Sequence, residues 1–499
     1  MSELLSKQAY VALAKDIELP NKAFINGQFV NAINGNSMVT ENPATKVVLT
    51  EIVSCDAEDV DVAVANAKAV FESGIWSKLA PSERKSAVLK LADLIEEHAT
   101  ELAVLETLEA GKPIHECVLT DLPETISCIR WYAEAADKVY DQISPTASDT
   151  LATIRREAAG VVACILPWNF PLMMLAWKLG PALMMGNSVI VKPAESTSMT
   201  TLKVAELAIK AGIPPGVFNV LPGFGPNVGE PLGLHNDIDV VSFTGSTATG
   251  RHFLNYSALS NLKRVVLECG GKSPSVVLSD ADDLDSIAEH VVGAALWNMG
   301  QNCTANSRII IHKDLKAELT QKIVAKLDAW QTGDPLDPQF MLGSIINRQQ
   351  YEKILNYIEI GKKEGATLIY GGNAISLNNG YFIEPTIFDA VTPTMTIATE
   401  EIFGPVFGLI EADSDDEAIA IANDSCYGLQ ASLYTRDLKK AHLYSQALKA
   451  GTVSVNCFSE GDISTPFGGY KLSGFGGRDN SLMAFDQYSE VKTTWFDLS

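Results

Sequence analysis

The alternation of short strands and helices from about residue 160 onward restricts the fold of this chain more than any other feature. Four β-branched runs follow one another, each ending in Pro or Gly: GVVACILPWN, NSVIVKPAE, GVFNVLPG and DIDVVSFTGS. Helix-like segments such as 199–212 separate them. This alternation is typical of parallel βαβ units. RVVLECGG and PSVVLSDADD begin a second α/β unit that we expect to reach about residue 470.

The remaining segments predict a helical region and two exposed strands. Residues 56–141 have apolar residues at helical spacing, and a second helix is expected to end at Gly111 and Pro113. ATIRREAAGV (152–161) alternates after a turn-rich stretch and predicts an exposed hairpin. The last segment, QYSEVKTTWFDLS, is rich in β-forming residues and exposed apolar side chains. Another subunit covering these edges is the simplest way to protect them.

Length, charge and cysteine usage exclude several classes of protein. A chain of 499 residues is too long for one core, so two or more domains are expected. The net charge of −23 argues against nucleic acid and anionic membranes as partners. Eight cysteines without CxxC spacing indicate reduced thiols rather than disulfides or a zinc site. With no signal-peptide core and no run of about 20 apolar residues, we expect a cytoplasmic protein without a metal.

Two residues carry the strongest chemical signal. Glu268 ends the strand RVVLE and is followed by two glycines, and Cys303 stands in the polar turn GQNC. A thiolate can form a covalent adduct with an aldehyde, and a carboxylate can activate water to release the resulting thioester. Backbone N–H groups at the turn would favour the thiolate. Taken alone, the cysteine could be a buried structural thiol and the acid a surface charge. We assign the neighbouring Cys269 to packing.

Asn169, in PWNFP, is the third candidate. Its side-chain amide, together with the Cys303 backbone N–H, could form an oxyanion hole. Pro167 and Pro171 equally predict a plain turn, in which Asn is common.

The cofactor signal is spread over several segments. VVSFTGSTATGR ends a strand and opens a helix at Gly245 and Ser246, where free N–H groups can bind phosphate. It is not the GxGxxG fingerprint, and the run from Gly223 to Gly229 does not fit that pattern either. Lys192 and Glu195 follow a strand end and could bind ribose hydroxyls. Because the acid would repel a 2′-phosphate, NAD is favoured over NADP.

Seven motifs together resemble the aldehyde dehydrogenase superfamily: PWNFP, KPAE, FTGSTATG, LECGGKSP, GQNC, EEIFGPV and PFGGYKLSG. They occur in family order, and the resemblance extends from about residue 22 to 497. It implies Cys303 as nucleophile, Glu268 as base and Asn169 as oxyanion donor. The residues that it implies for cofactor binding are Trp168, Lys192, Glu195, Gly225, Gly245, Ser246, Gly250, Glu401 and Phe403.

The resemblance also implies an architecture. The fold class is α/β, with a Rossmann-type NAD-binding domain formed by residues 1–139 and 160–269. An α/β catalytic domain spans 270–482. A small β oligomerisation arm consists of 140–159 and 483–499. A homotetramer or a homodimer is expected.

The same resemblance implies an aldehyde tunnel. Its lining would be Phe170, Met174, Trp177, Trp297 and Phe467, with Glu460 and Asp462 near the mouth. Trp177 and Trp297 could equally be core aromatics. Acids at the mouth would favour a cationic substrate. The stretch from Asn456 to Leu482 is most similar to enzymes of polyamine breakdown, so we expect a ω-amino, γ-glutamylamino or guanidino butyraldehyde as substrate.

Other functions remain open at this stage. A broad-specificity aliphatic or aromatic aldehyde dehydrogenase differs only in substrate. A CoA-acylating enzyme is disfavoured by Glu268, which would hydrolyse the intermediate first. A non-redox thiol hydrolase would need a histidine, and His290 is not on the same helix face as Cys303. A silent structural protein that binds NAD would be expected to lack the nucleophile or the base.

Overall fold

The computed structural model of the protein describes residues 4–499, and it contains two large sheets covered by helices. The helices are α1 (Lys7–Asp16), α2 (Ala57–Ser73), α3 (Pro81–Glu97), α4 (Ala99–Ala110), α5 (Ile114–Glu116), α6 (Leu122–Ala135), α7 (Pro171–Met185), α8 (Met199–Ala211), α9 (Glu230–Leu234), α10 (Thr247–Leu259), α11 (Leu284–Leu296), α12 (Lys313–Lys326), α13 (Arg348–Lys363), α14 (Thr396–Thr399), α15 (Asp415–Asn423), α16 (Leu438–Ala447) and α17 (Ala484–Gln487). The strands are β1 (Ala23–Ile25), β2 (Gln28–Val30), β3 (Ser37–Asn42), β4 (Val47–Val53), β5 (Gln142–Ser144), β6 (Thr150–Ala158), β7 (Val161–Ile165), β8 (Ser188–Lys192), β9 (Phe218–Val220), β10 (Val240–Thr244), β11 (Arg264–Glu268), β12 (Ser273–Val277), β13 (Asn306–His312), β14 (Thr367–Tyr370), β15 (Ala374–Ile375), β16 (Phe382–Ile383), β17 (Thr386–Asp389), β18 (Val406–Ala412), β19 (Gln430–Tyr434), β20 (Thr452–Val455), β21 (Gly474–Phe475) and β22 (Ser489–Asp497).

The first sheet has eight strands in the order β2-β1-β9-β8-β7-β10-β11-β21. Its five central strands, β9, β8, β7, β10 and β11, are parallel, as the strand–helix alternation predicts. β7 and β8 are buried along their whole length because helices cover both faces of the sheet. The edge strand β21 is antiparallel to β11 and comes from far along the chain.

The second sheet has seven strands in the order β14-β17-β18-β13-β12-β19-β20. All of its neighbouring pairs are parallel except β14 with β17. A separate apolar core formed by β12, β13, β18, β19 and helix α11 lies around it. The second α/β unit predicted from the sequence therefore forms a sheet of its own.

A third sheet of three strands, β22-β6-β5, is formed by the predicted hairpin and the C-terminal segment. β22 runs antiparallel to β6 from Ser489 opposite Ala158 to Asp497 opposite Thr150. The hairpin was predicted over 152–161, but Val161 already belongs to β7. Trp495 is 66% exposed, and Val491 and Phe496 are also exposed, so this sheet presents an apolar surface.

The helical region differs from the prediction in one place. The stretch predicted as one helix is broken at His98 into α3 and α4. Its predicted end is confirmed, because Gly111 closes α4 in the left-handed conformation with φ of +71°. None of the helices in residues 4–499 has the length and apolar character needed to cross a membrane.

Candidate active site

The parallel strands of the first sheet bring three of the predicted motifs to one edge. PWNFP follows β7, Gly245 and Ser246 follow β10, and Glu268 is the last residue of β11. Thr244 and Glu268 are register partners at the ends of β10 and β11. The carboxyl ends of parallel strands form the usual ligand-binding edge of an open α/β sheet.

The segment before Cys303 reverses the chain in an unusual way. Helix α11 ends at Leu296, and Asn298, Met299 and Gly300 then have φ of +50°, +55° and +65°. Gln301 fixes the turn that follows, since its side-chain Oε1 accepts a 3.1 Å hydrogen bond from the Ile346 N–H. Consecutive left-handed residues cost free energy and are retained where the surrounding structure holds them.

The three predicted catalytic residues line one cleft. Cys303, Glu268 and Asn169 all line a cleft of about 190 Å³ between the two large sheets. The structure therefore brings together residues that lie far apart in sequence.

The surroundings of the Cys303 sulfur disfavour its ionised form. Burial raises its pKa well above the ordinary value, and the carboxylates of Glu460, Glu401 and Glu268 raise it further. A backbone hydrogen bond at Cys303 lowers this pKa, as the sequence predicts for N–H groups at the turn, but burial and the nearby acids outweigh it.

Glu268 is 3% exposed, and neither carboxylate oxygen has a hydrogen-bond partner within residues 4–499. Burial raises the pKa of this carboxyl group well above its usual range, and Asp479 adds to the rise while Lys178 and Arg478 oppose it. Lys178 and Asp479 form a fully buried ion pair at 3.2 Å. Gly468 leaves room for the carboxylate, since a Cβ there would lie 2.7 Å from Glu268 Oε1.

Asn169 lies against the turn that carries Cys303. It is 6% exposed, and its Nδ2 donates a 3.0 Å hydrogen bond to the Gln301 carbonyl. One N–H of the amide is used in this way, and the other is free for a ligand in the cleft.

Several of the predicted cofactor residues line the same cleft. Ser246 is the N-cap of α10, and its hydroxyl accepts a 3.2 Å hydrogen bond from the Thr249 N–H. The Trp168 and Phe403 rings stand perpendicular at 5.2 Å between centroids. Glu401 accepts a 2.9 Å hydrogen bond from the Gly271 N–H. Gly245 completes the group of predicted residues at this wall.

Four predicted cofactor residues do not line the cleft. Lys192 ends β8 at the same sheet edge, and its Nζ lies 3.4 Å from Glu195 Oε2. Burial lowers the pKa of Lys192, and Glu195 opposes this effect. Gly225 begins a π-turn and has open space where a Cβ would stand. Gly250 packs α10 against β11, since a Cβ would lie 3.2 Å from the Cys269 sulfur, and it has no contact with the cleft.

Cys269 lies at the boundary between an apolar cluster and the cleft. It belongs to the apolar cluster under α10, which agrees with the packing assignment. It also lines the cleft beside Glu268, and the sequence did not indicate this.

The predicted substrate residues divide between two cavities. Five of them line the Cys303 cleft: Phe170, Met174, Trp177, Glu460 and Phe467. The other two, Trp297 and Asp462, line a second and more open cavity of about 510 Å³, here called the outer cavity. The two cavities share Met173, Trp177 and Glu460, so they adjoin each other.

The aromatic residues of the two cavities contact one another. The Trp177 and Phe467 ring centroids are 4.9 Å apart, and those of Phe170 and Trp297 are 5.0 Å apart. On its other side, the Phe170 ring faces the buried Lys112 ammonium at 4.0 Å. The tryptophans therefore line cavities and are not purely core residues.

Some lining residues were missed by the sequence prediction. Glu124 and Phe458 line the outer cavity, and Gln350, Lys353 and Asp479 line the cleft. Glu124 lies in the first turn of α6, where an exposed acid is common. Asp479 stands in GGRD, directly after the PFGGYKLSG motif, and that position is the only signal that could have indicated it.

His290 does not support a thiol hydrolase. Its ring stacks on Tyr434 with centroids 6.1 Å apart, and it lines neither the cleft nor the outer cavity. A histidine that activates a cysteine must be within hydrogen-bond reach of the sulfur.

The fold and this site define an enzyme of aldehyde oxidation, and comparison with known proteins agrees. The aldehyde dehydrogenase family matches residues 29–494, and the chain belongs to this family. Among curated relatives, an aminoacetaldehyde dehydrogenase of Pseudomonas aeruginosa is 55% identical over 499 residues, which is 100% of both chains.

Two solved structures are similar over nearly the whole chain. The indole-3-acetaldehyde dehydrogenase AldA of P. syringae, in complex with NAD+ and IAA, has a TM-score of 0.98 and 46% identity, covering 99% of this chain and 100% of its own. A γ-glutamyl-γ-aminobutyraldehyde dehydrogenase of Burkholderia cenocepacia has a TM-score of 0.97 and 46% identity, with the same coverage. The predicted family, fold class and enzyme class are confirmed.

Proposed function

We propose that this protein oxidises a ω-amino or substituted amino aldehyde to the carboxylic acid with NAD. The acidic outer cavity next to the Cys303 cleft carries this proposal. In the mechanism, the Cys303 sulfur adds to the aldehyde carbon as its proton leaves to a base in the cleft. The carbonyl oxygen becomes an alkoxide that accepts a hydrogen bond from the free N–H of Asn169.

The cleft fits a dinucleotide on the side of the first sheet. Thr244 Oγ1 is buried there without a hydrogen-bond partner among residues 4–499. The N-terminus of α10 at Ser246 offers N–H groups to phosphate. Lys192 and Glu195 would hold the adenine ribose, while Glu401 and Phe403 would hold the nicotinamide ribose and ring. Bound there, NAD would provide the hydride acceptor, and Cys303 would carry the thioester that remains when the adduct carbon has lost its hydride.

Glu268 then acts as the base in hydrolysis of the thioester on Cys303. Its raised pKa makes the ionised carboxylate a stronger base than an exposed glutamate. It takes one proton from water as the water oxygen attacks the thioester carbon. The C–S bond then breaks, the carboxylic acid leaves, and Glu268 passes the proton on to the Cys303 sulfur. The buried Lys178–Asp479 pair sets the charge next to Glu268.

The substrate class follows from the charge of the outer cavity. Four acids line it, Glu116, Glu124, Glu460 and Asp462, and the described lining contains neither lysine nor arginine. Burial raises the pKa of both Glu124 and Glu460, and the acids add to this, since Asp462 raises the pKa of Glu124 and Glu124 raises that of Glu460. A cationic amine or guanidine in this cavity would offset that repulsion.

Aromatic side chains in the same cavity support a cationic group. Trp297 and Phe458 stand at 6.4 Å between ring centroids, and Trp177 and Trp330 are also in the lining. Cations bind over aromatic faces, tryptophan most strongly. The relatives named for aminoacetaldehyde and γ-glutamyl-γ-aminobutyraldehyde support the same class, whereas the relative named for indole-3-acetaldehyde represents the aromatic alternative.

Steady-state kinetics test the substrate class. We expect kcat/KM for 4-aminobutanal and 4-guanidinobutanal to exceed the values for propanal and benzaldehyde. Neutralising one partly solvated acid in Glu124→Gln or Asp462→Asn should lower kcat/KM for the amino aldehydes roughly 5-fold, since a screened charge contact is worth about 1 kcal/mol.

Two controls make this measurement specific. Propanal should react equally with both variants, because it carries no charge. Glu97→Gln removes an exposed acid from α3 and should leave all substrates unchanged. Equal kcat/KM values for all four aldehydes in the unmodified protein would contradict the proposed substrate class.

We assign residues 1–139 and 160–269 to an NAD-binding domain, 270–482 to a catalytic domain, and 140–159 with 483–499 to an oligomerisation arm. The separate sheets support this division, although β21 crosses it by pairing with β11. The exposed apolar face of β22 supports a homotetramer or homodimer. A cytoplasmic location is supported by the eight cysteines, all of which are unpaired.

A further inference from the structure

Asn298 lies behind the cleft, between the two loops that carry Asn169 and Cys303. Its side-chain Nδ2 donates a 2.9 Å hydrogen bond to the Asn169 backbone carbonyl and a 3.3 Å hydrogen bond to the Gln301 carbonyl. The same Gln301 carbonyl accepts the Asn169 side-chain amide at 3.0 Å. The Gln301 carbonyl oxygen therefore accepts hydrogen bonds from the side-chain amides of both Asn169 and Asn298. Through its two hydrogen bonds, Asn298 connects the backbone of the Asn169 loop to that of the Cys303 turn.

The position of Asn298 is costly to maintain. The residue is fully buried and has φ of +50°, a left-handed conformation that Asn tolerates better than most residues. Its Oδ1 has no hydrogen-bond partner within the described chain. Burying an acceptor without a partner costs free energy. We therefore attribute the presence of asparagine at this position to the hydrogen bonds that its Nδ2 donates.

The Asn298 contacts reach the reacting atoms only through Asn169 and the Cys303 turn. Asn298 lines neither the cleft nor the outer cavity. An oxyanion donor must be held close to the position of the developing alkoxide, and a shift of about 1 Å can cost roughly 100-fold in rate. The spacing between the Asn169 amide and the Cys303 sulfur depends on how the two loops are tied together.

We propose that Asn298 is a positioning residue, which ties the PWNFP loop to the Cys303 turn and so aims the Asn169 amide at the aldehyde oxygen. This inference rests on the proposed role of Asn169 as oxyanion donor. It predicts that Asn298 influences the rate only while the Asn169 amide is present.

A double-mutant cycle tests this coupling in the full-length enzyme. The variants are Asn298→Gly, Asn169→Ala and the double substitution, and the measured quantity is the single-turnover rate of NADH formation from propanal at saturating NAD. Glycine removes the amide but keeps the left-handed backbone accessible. We expect Asn169→Ala to slow this rate about 100-fold to 1000-fold and Asn298→Gly about 10-fold to 100-fold. In the Asn169→Ala background, Asn298→Gly should change the rate less than about 2-fold.

A second variant separates the lost donors from a change of packing. Asn298→Asp keeps the shape and the left-handed preference but replaces both donors with acceptors, so its rate should fall as far as that of Asn298→Gly. Asn187 provides the matched control, since it is also fully buried and its Nδ2 donates to the carbonyls of Ala182 and Tyr488 at 3.0 and 2.9 Å. Asn187→Ala should lower the melting temperature without slowing the single turnover.

The outcomes are distinguishable. Equal slowing by Asn298→Gly in both backgrounds would show a general structural role and overturn this inference while leaving the proposed function intact. An unimpaired Asn169→Ala enzyme would instead overturn the oxyanion role itself. If Asn298→Gly does not fold, the same cycle is run with Asn298→Asp, and additive effects there would refute the coupling.

Discussion

Replacing Glu268 with glutamine should separate the two halves of the reaction. The two carboxylate oxygens have no hydrogen-bond partner within residues 4–499, and the side chain is 3% exposed. An amide of the same size therefore breaks no hydrogen bond and creates no cavity. Glu268→Gln should fold normally and still form the thioester on Cys303, but it should lack the base that activates water.

The size of the effect follows from the role of the base. A positioned general base contributes about 100-fold to 10,000-fold, which is roughly 3 to 5 kcal/mol of barrier at about 1.4 kcal/mol per factor of ten. We expect kcat to fall by this factor. The first turnover should remain fast, because thiol addition and hydride loss do not need water.

Stopped-flow absorbance of NADH provides the assay. Glu268→Gln should show a burst of about one NADH per active site, followed by a slow steady rate that an added nucleophile such as hydroxylamine accelerates. A burst that vanishes, or a kcat within about 3-fold of the unmodified enzyme, would refute the assignment of Glu268 to thioester hydrolysis.

The stability of the same variant gives an independent check with a defined sign. Because burial raises the pKa of Glu268 in the folded protein, its contribution to stability is present below the unfolded pKa and is lost as pH rises through the folded pKa. Glu268→Gln has no such loss. Its melting temperature should therefore equal or exceed that of the unmodified protein in alkaline buffer.

Two further predictions follow from the site and the arm. Because burial and nearby carboxylates raise the pKa of Cys303, its alkylation by iodoacetamide without NAD should accelerate with pH and reach half its maximum above the ordinary thiol pKa of about 8.5. Glu460→Gln should shift that profile to lower pH, and an unshifted profile would exclude Glu460 as a cause. Deleting residues 489–499 removes β22 and its exposed apolar face, so light scattering should show a smaller assembly than for the full chain. An unchanged mass would contradict the proposed arm.

The motifs and their order along the chain were sufficient to predict much of the first sheet and the edge of that sheet that carries the site. β-branched runs ending in Pro or Gly fixed β7, β8 and β10, because burial on both faces of a parallel sheet requires such runs. Glu268 and Asn169 follow directly from where these strands end. The break at His98 was not predictable, since apolar spacing continues across it without Gly or Pro.

The electrostatics of the site could not be predicted from local sequence. Burial raises the pKa of Cys303, and Glu460 and Glu401, which approach from distant parts of the chain, raise it further. Glu124 lies on a helix whose pattern shows only an amphipathic surface, and its role in the outer cavity exists only after the second sheet packs nearby. Gly250, which the motif assigns to the cofactor, also allows α10 to pack closely on β11, and the local sequence does not indicate this contact.

Glu460 connects the acids of the outer cavity with the pKa of Cys303, which burial raises and this carboxylate raises further. This carboxylate lines both cavities and is among the causes that raise the pKa of the thiol. A cation bound in the outer cavity would offset its charge, and the pKa of Cys303 would fall toward its ordinary value. A cationic aldehyde would then favour the thiolate that attacks it, whereas a neutral aldehyde would not. Selectivity for amino aldehydes should therefore be seen in the rate of thioester formation as well as in binding.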